Sequence, residues 1–236
     1  MRRENVLLPS ALIAAGMLSL AACSGTTPEE GVPVPVEPIS DPQDTVATRV
    51  ETDGTGNCNF DASPADLSLA ALNDSDYGEG FMCGACIEVV GPNQKPVVAR
   101  VVDRCYSCAA EQVGLSKHVF DQVGASDFLQ TTLRWRYVTC PVTGPVQYRF
   151  KEDSNPYWAA IQVRNHLLPI QKLEWMKDGA WTDIPRTSYN YFVQPGMGAG
   201  PIRVRVTASD GQQLEDTLPE VLSATLIPGA AQFGMK

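Results

Sequence analysis

The stretch Pro96-Val-Val-Ala-Arg-Val-Val-Asp-Arg-Cys-Tyr-Ser-Cys108 constrains this fold more than any other. Valines at 97, 98, 101 and 102 are β-branched, so they pack well on a pleated surface and lose rotamer freedom in a helix. The run therefore predicts a buried strand. It stops at Asp103, Arg104 and a Cys-x-x-Cys. A carboxylate at the end of such a strand sits at the rim of the sheet or barrel that the strand builds, and the cysteines can pin the loop behind it. The plainer reading of Asp103 is a turn cap or an ion pair with Arg104.

The neighbouring sequence points the same way. Glycine (19) and proline (18) are plentiful in 236 residues and long helical periodicity is scarce, which predicts an all-β protein with many turns. Cys86–Val90, the turn Gly91–Pro96 and the valine run read as a strand pair. Leu115, Val119, Phe120 and Val123 recur at helical spacing, a short amphipathic helix. From Thr131 to Val138, Leu133, Trp135 and Tyr137 alternate with polar residues, as in a half-buried strand. Cysteines stop before Gly144, which divides the folded part into a first domain at 46–143 and a second at 144–236. In the second, Val146, Tyr148 and Phe150 alternate, as do Ile202, Val204 and Val206, between turns such as Lys177–Gly179 and Ser209–Gly211. That spacing suits a β-sandwich.

The N-terminus reads as an export signal over residues 1–22: Arg2 and Arg3, an apolar run from Val6 to Leu20, then small residues. Leu20-Ala-Ala-Cys23 has the form of a bacterial lipobox, with Cys23 as the lipidated residue; ordinary cleavage near Ala22 is the alternative. Residues 23–45 are rich in proline and acidic groups and read as a spacer between anchor and fold. The expected location is the bacterial cell envelope or surface, with the lipid as the only link to a membrane, or the exterior as a secreted protein. Loss of Arg2, Arg3 and Glu4 changes the formal charge from -9 to -10, since +2 and -1 leave together. So acidic a surface argues against nucleic acid and polyanionic ligands and leaves neutral polysaccharide open. Neither cofactor nor partner subunit is implied, and a monomer is expected.

Besides Cys23 the cysteines are Cys58, Cys83, Cys86, Cys105, Cys108 and Cys140. Cys83-x-x-Cys86 and Cys105-x-x-Cys108, 18 residues apart, have the spacing of a four-thiolate zinc site. In an exported protein an even set of six reads instead as three disulfides, so no metal is expected. The spacing does not choose among the 15 possible pairings.

In Trp158-Ala-Ala-Ile-Gln-Val-Arg164 the alternation puts Ala159, Ile161 and Val163 on a core face. Trp158, Ala160, Gln162 and Arg164 then face water. With Tyr157 and Tyr189, Trp158 could form an aromatic row suited to the apolar faces of sugar rings.

These residues together resemble a bacterial expansin. The likeness runs in order through Thr48, Gly54–Phe60, Cys83–Cys86, Val101–Cys105, Leu115-Ser116, Tyr148–Glu152, Trp158–His166 and Tyr189–Val193. It implies a six-stranded double-psi β-barrel followed by an immunoglobulin-like β-sandwich that binds cellulose. It also implies loosening of cell walls without hydrolysis, with xyloglucan or peptidoglycan as further ligands. Thr48 and Asp103 correspond to the family's barrel-groove residues; Tyr157, Trp158 and Tyr189, with Lys151 nearby, correspond to its sugar-binding face. Two departures stand out. Gly114 occupies the place of a second groove aspartate, and Tyr157 replaces a tryptophan. An inverting glycosidase needs an acid and a base about 6.5–9.5 Å apart. Asp103, with Thr48 as hydrogen-bond partner, could be the acid, but Glu111 is the only replacement base in view, so hydrolysis is disfavoured.

Overall fold

The computed structural model describes residue 1, residues 35–221 and residues 223–235. The expected signal, Cys23 and the first part of the expected spacer lie outside the described residues. The described residues from 35 onward belong to one compact unit.

The valine run is a strand. It forms β4 (Pro96–Arg104) of a closed six-stranded barrel, with β1 (Gln43–Val50), β2 (Leu69–Leu72), β3 (Cys86–Val90), β5 (Val113–Ser116) and β6 (Gln130–Val138). Around the barrel the order is β1, β5, β2, β4, β3, β6. β3 and β4 form the expected antiparallel pair, while β1 runs parallel to β5 and β2 parallel to β4. Leu69, Leu72, Ile87, Val101, Leu115, Phe120 and Trp135 fill the interior. Besides α1 (Asp74–Tyr77), a single turn that runs on into a 3-10 turn at Gly78–Gly80, the described residues hold one longer helix, α2 (Lys117–Gln122). It is shorter than its apolar spacing suggested, because Leu115 and Ser116 belong to β5. Ser116 starts the helix by accepting a hydrogen bond from the Val119 N–H. Residues 37–39 of the expected spacer lie along β6, with Ile39 N–H donating to Tyr137 at 2.8 Å and Glu37 N–H to the Thr139 hydroxyl at 2.7 Å.

The second half is two four-stranded sheets. One contains β7 (Gln147–Phe150), β8 (Trp158–Arg164), β11 (Phe192–Pro195) and β14 (Leu226–Pro228), ordered β11, β8, β7, β14. The other contains β9 (Ile170–Lys177), β10 (Ala180–Ile184), β12 (Ile202–Ala208) and β13 (Gln213–Leu218), ordered β10, β9, β12, β13. Tyr148, Phe150, Ile161 and Val163 of the first pack with Leu173, Val204 and Val206 of the second in one core.

The six described cysteines are bridged, as Cys58–Cys83, Cys86–Cys140 and Cys105–Cys108. The zinc alternative fails on this pairing, because Cys83, Cys86, Cys105 and Cys108 are all disulfide sulfurs and none is a thiolate ligand. Bridges that close loops of this kind stabilise a fold by about 2–4 kcal/mol each. Among the described residues no helix is long and apolar enough to cross a membrane.

Candidate functional site

Asp103 ends the hydrophobic part of β4. Its Oδ1 accepts from the backbone N–H of Asn57 at 2.6 Å and of Arg104 at 2.8 Å, both charge-assisted bonds. Close approach of the Asn57 loop requires Gly56, where an added Cβ would lie 2.6 Å from Asp103 Cβ and Cγ. The expected turn cap is therefore present, while the ion pair is not. Arg104 Nε donates to Asp74 at 2.6 Å, and its guanidinium stands 4.7 Å from the Tyr106 ring centroid. Among the described residues no donor reaches Asp103 Oδ2, and the side chain is half-exposed.

Asp103 lines two adjoining hollows. One, of about 290 Å³, has Val50, Ala71 and Val102 in its wall with Arg104 and Tyr106. The other, of about 580 Å³, is bounded by Glu51, Thr52, Asp53, Thr55 and Gly56. Glu51 and Asp53 were missed in the sequence, since nothing local marks a loop after β1 as folding back across the end of β4. Hydrogen bonds from Thr55, hydroxyl first and then amide, lower the Asp53 pKa below the ordinary carboxylate value.

Strand register explains what surrounds Asp103. Thr48 pairs with Gly114, Gly114 with Ala71, and Ala71 with Asp103, a row across β1, β5, β2 and β4. The barrel closes over six strands, so β1 and β4 stand three strands apart on opposite sides of it. Thr48 is thus no hydrogen-bond partner of Asp103; its hydroxyl accepts from Gln130 Nε2 at 3.1 Å. At Gly114, the departure noted in the sequence, an added Cβ would stand 3.1 Å from Val50 Cγ1 and 3.3 Å from Ala71 Cβ. That part of the floor is apolar. Glu111 is exposed on a left-handed turn (φ 67°) and lines neither hollow.

Tyr157 and Trp158 lie at the start of β8, and Tyr189 in the loop that leads into β11, beside the farther part of β8. Tyr157 is 85% exposed, Tyr189 is 37% exposed and Trp158 is half-buried. Asn155 Oδ1 accepts from the Tyr157 and Trp158 N–H groups at 3.0 and 3.3 Å, which fixes the turn that presents both rings. The Tyr189 ring centroid is 6.1 Å from that of Tyr191. Lys151 is half-buried, its N–H donating to Ala160 at 2.9 Å.

The face expected to be wet is only partly so. Ala160 and Gln162 are fully buried, and the barrel loop around Cys58 docks on Gln162. Gln162 Nε2 donates to the carbonyl oxygens of Cys58 at 2.9 Å and Asn59 at 3.3 Å. The same loop reaches the tyrosines: Asn59 Nδ2 donates to the Tyr189 carbonyl at 3.3 Å, and Asn57 Nδ2 to the Ser188 carbonyl at 3.0 Å. Farther along β8, Asp61 Oδ2 takes Arg149 and Arg164 at 2.6 Å each, and Arg164 above all lowers its pKa. His166 is buried beside Gly84, with Nδ1 2.8 Å from the Leu168 oxygen, and burial lowers its pKa to about 4. A cleft of about 520 Å³ opens along this seam, lined by Phe60, Arg100, Arg164 and His166 among others. Its arginines face Asp61 and Asp66, so it is a charge-paired seam between the barrel and the sheets.

Among the described residues no cluster of histidine, cysteine or acidic side chains could hold a metal ion. No family model matches the chain. It is similar to Expansin-YoaJ of Bacillus subtilis (strain 168), 36% identical over 183 residues that span 74% of this chain and 78% of the relative. Expansin-like protein 1 of Dictyostelium discoideum is 29% identical over 202 residues, 80% of this chain and 71% of the relative. Among solved structures, the apo expansin of Clavibacter michiganensis superposes with a TM-score of 0.77 at 26% identity, over 83% of this chain and all of that one. A Clavibacter expansin mutant in complex with cellohexaose gives a TM-score of 0.77 at 27% identity, with the same coverage.

Proposed function

The chain belongs to the expansin family, and we propose that it binds cell-wall polysaccharide along one open trough and loosens the wall without cutting it. The barrel is read as the family's double-psi type and the paired sheets as its immunoglobulin-like partner. The observation that carries this reading is the loop at residues 56–59. It holds Asp103 on one side and the Ser188-Tyr189 backbone on the other, so groove and rings belong to one body. The cellohexaose complex of the Clavibacter relative supports a glucan as the ligand class.

In this reading Tyr157, Trp158 and Tyr189 stack on the apolar faces of glucose units, where an aromatic ring contributes dispersion and loses little entropy. Asp103 Oδ2 accepts from a sugar hydroxyl, a charge-assisted bond worth about 1.5–3 kcal/mol. That exceeds the ~1 kcal/mol of a neutral bond between two chains. Each glucan hydroxyl captured by Asp103 is one withdrawn from a neighbouring chain, and the contact yields under load. Thr48 and Gln130 offer a polar contact at the far end of the row, and Lys151 an ammonium near the rings. Cys23 is assigned as the lipid-bearing residue that tethers a monomer at the envelope.

Retention on cellulose, xyloglucan and peptidoglycan tests the ligand class. Tyr157→Ala, at an exposed ring, is expected to keep the native melting temperature and lose about tenfold in cellulose affinity, ~1.4 kcal/mol. Unchanged retention would remove the rings from the account. A hydrolytic reading rests on Glu51 and Asp53, which share a hollow with Asp103. Reducing ends released from amorphous cellulose, and lost in both Asp103→Asn and Glu51→Gln, would establish it instead.

A further inference from the structure

We infer that Asn57 is the positioning residue that keeps the Asp103 groove and the Tyr189 ring in register, so that a single glucan chain engages both. The inference deepens the polysaccharide-binding reading and rests on it.

Asn57 bonds both the Asp103 carboxylate and the carbonyl that precedes Tyr189, through different atoms. Its backbone N–H donates to Asp103 Oδ1 at 2.6 Å. Its Nδ2 donates to the Ser188 carbonyl at 3.0 Å and to the Tyr77 hydroxyl at 2.9 Å. Tyr77 in turn donates to the same Ser188 carbonyl at 2.6 Å. Ser188 directly precedes Tyr189.

The residue type follows from donor arithmetic. A carboxamide nitrogen carries two N–H donors, and both are used here. Aspartate has none and serine has one on a shorter stem. The amide orientation is also determined, since the flipped form would set its oxygen against the Ser188 oxygen. Both flanks are clamped: Gly56 lies against Asp103, and Cys58 is bridged to Cys83 while its carbonyl accepts from Gln162 and Asn190. Tyr77 is fully buried, so its hydroxyl is held in place.

Two weak subsites on one rigid body gain affinity for a ligand long enough to span them, and lose that gain when their geometry no longer matches. Calorimetric titration with cello-oligosaccharides of increasing length reads this directly. In the native protein affinity should rise by at least about tenfold once the chain reaches from the rings to Asp103. Asn57→Ala should leave the affinity for short oligomers within about twofold and remove most of the long-chain gain. Tyr77→Phe, a near-isosteric change that deletes one of the two bonds onto Ser188, should give an intermediate loss. A long-chain gain kept by both variants overturns the assignment, as does an equal loss for short and long oligomers, which marks a merely structural role. Absence of any gain in the native protein brings down the shared-trough reading itself.

Discussion

Replacing Gly56 by alanine perturbs the trough at its tightest point. The new Cβ would stand 2.6 Å from Asp103 Cβ and Cγ and 2.8 Å from the Val102 carbonyl oxygen, where ordinary contact begins at 3.4 Å. Relief requires a retreat of roughly 0.8 Å, the difference between 3.4 and 2.6 Å. That carries the Asn57 N···Asp103 Oδ1 bond from 2.6 Å to the edge of bonding range. It also stretches the Cys58 N–H bond to the Val102 carbonyl, now 3.1 Å. Losing a charge-assisted bond costs about 1.5–3 kcal/mol and weakening a backbone bond about 1 more, so the total is roughly 3 kcal/mol. At 2–4 °C per kcal/mol for a chain of this size, thermal unfolding should come about 6–12 °C earlier. Wall creep should fall below native at temperatures where the variant is still folded. A variant with native melting temperature and native creep would refute the claim that this loop holds Asp103.

Two further outcomes follow from the same packing. His166 titrates at about 4 in the folded chain against an ordinary 6.5, chiefly through burial. Its folded pKa is depressed, so its contribution is fully present above pH 6.5 and lost as pH falls toward 4, in all roughly 3 kcal/mol. Denaturant midpoints measured across that window should drop in the native protein and much less in His166→Gln; parallel curves would contradict it. Gly114→Asp pushes a Cβ against Val50 and Ala71 and should cost about 1–3 kcal/mol by overpacking, read as a lower urea midpoint. An unchanged midpoint would mean that the barrel floor opens freely there.

What could be read from the sequence was what local pattern controls. The valine run is β4, the turn at Gly91–Pro96 joins β3 to β4, and Leu133 and Trp135 point into the core, because alternation and β-branching act within a strand. What escaped depends on residues far apart in the chain. Trp158, Ala160 and Gln162 share a face as alternation requires, yet Gln162 is sealed by a carbonyl 104 positions away. The two Cys-x-x-Cys pairs look alike, but Cys105 bridges Cys108 while Cys83 and Cys86 reach to Cys58 and Cys140. Thr48 and Asp103 share a row three strands apart, a distance no local pattern encodes. Glu51 and Asp53 entered the site for the same reason, through a loop that folds back.

The central claim is that one barrel-lip carboxylate and a strip of rings act together on a single glucan. Its most direct test is the extension under load of heat-inactivated cell-wall strips, with native protein and Asp103→Asn applied in amounts adjusted to equal bound protein. The account predicts creep with the native protein and little with the variant, while cellulose retention through the rings stays near native. Equal creep from the two proteins would contradict it.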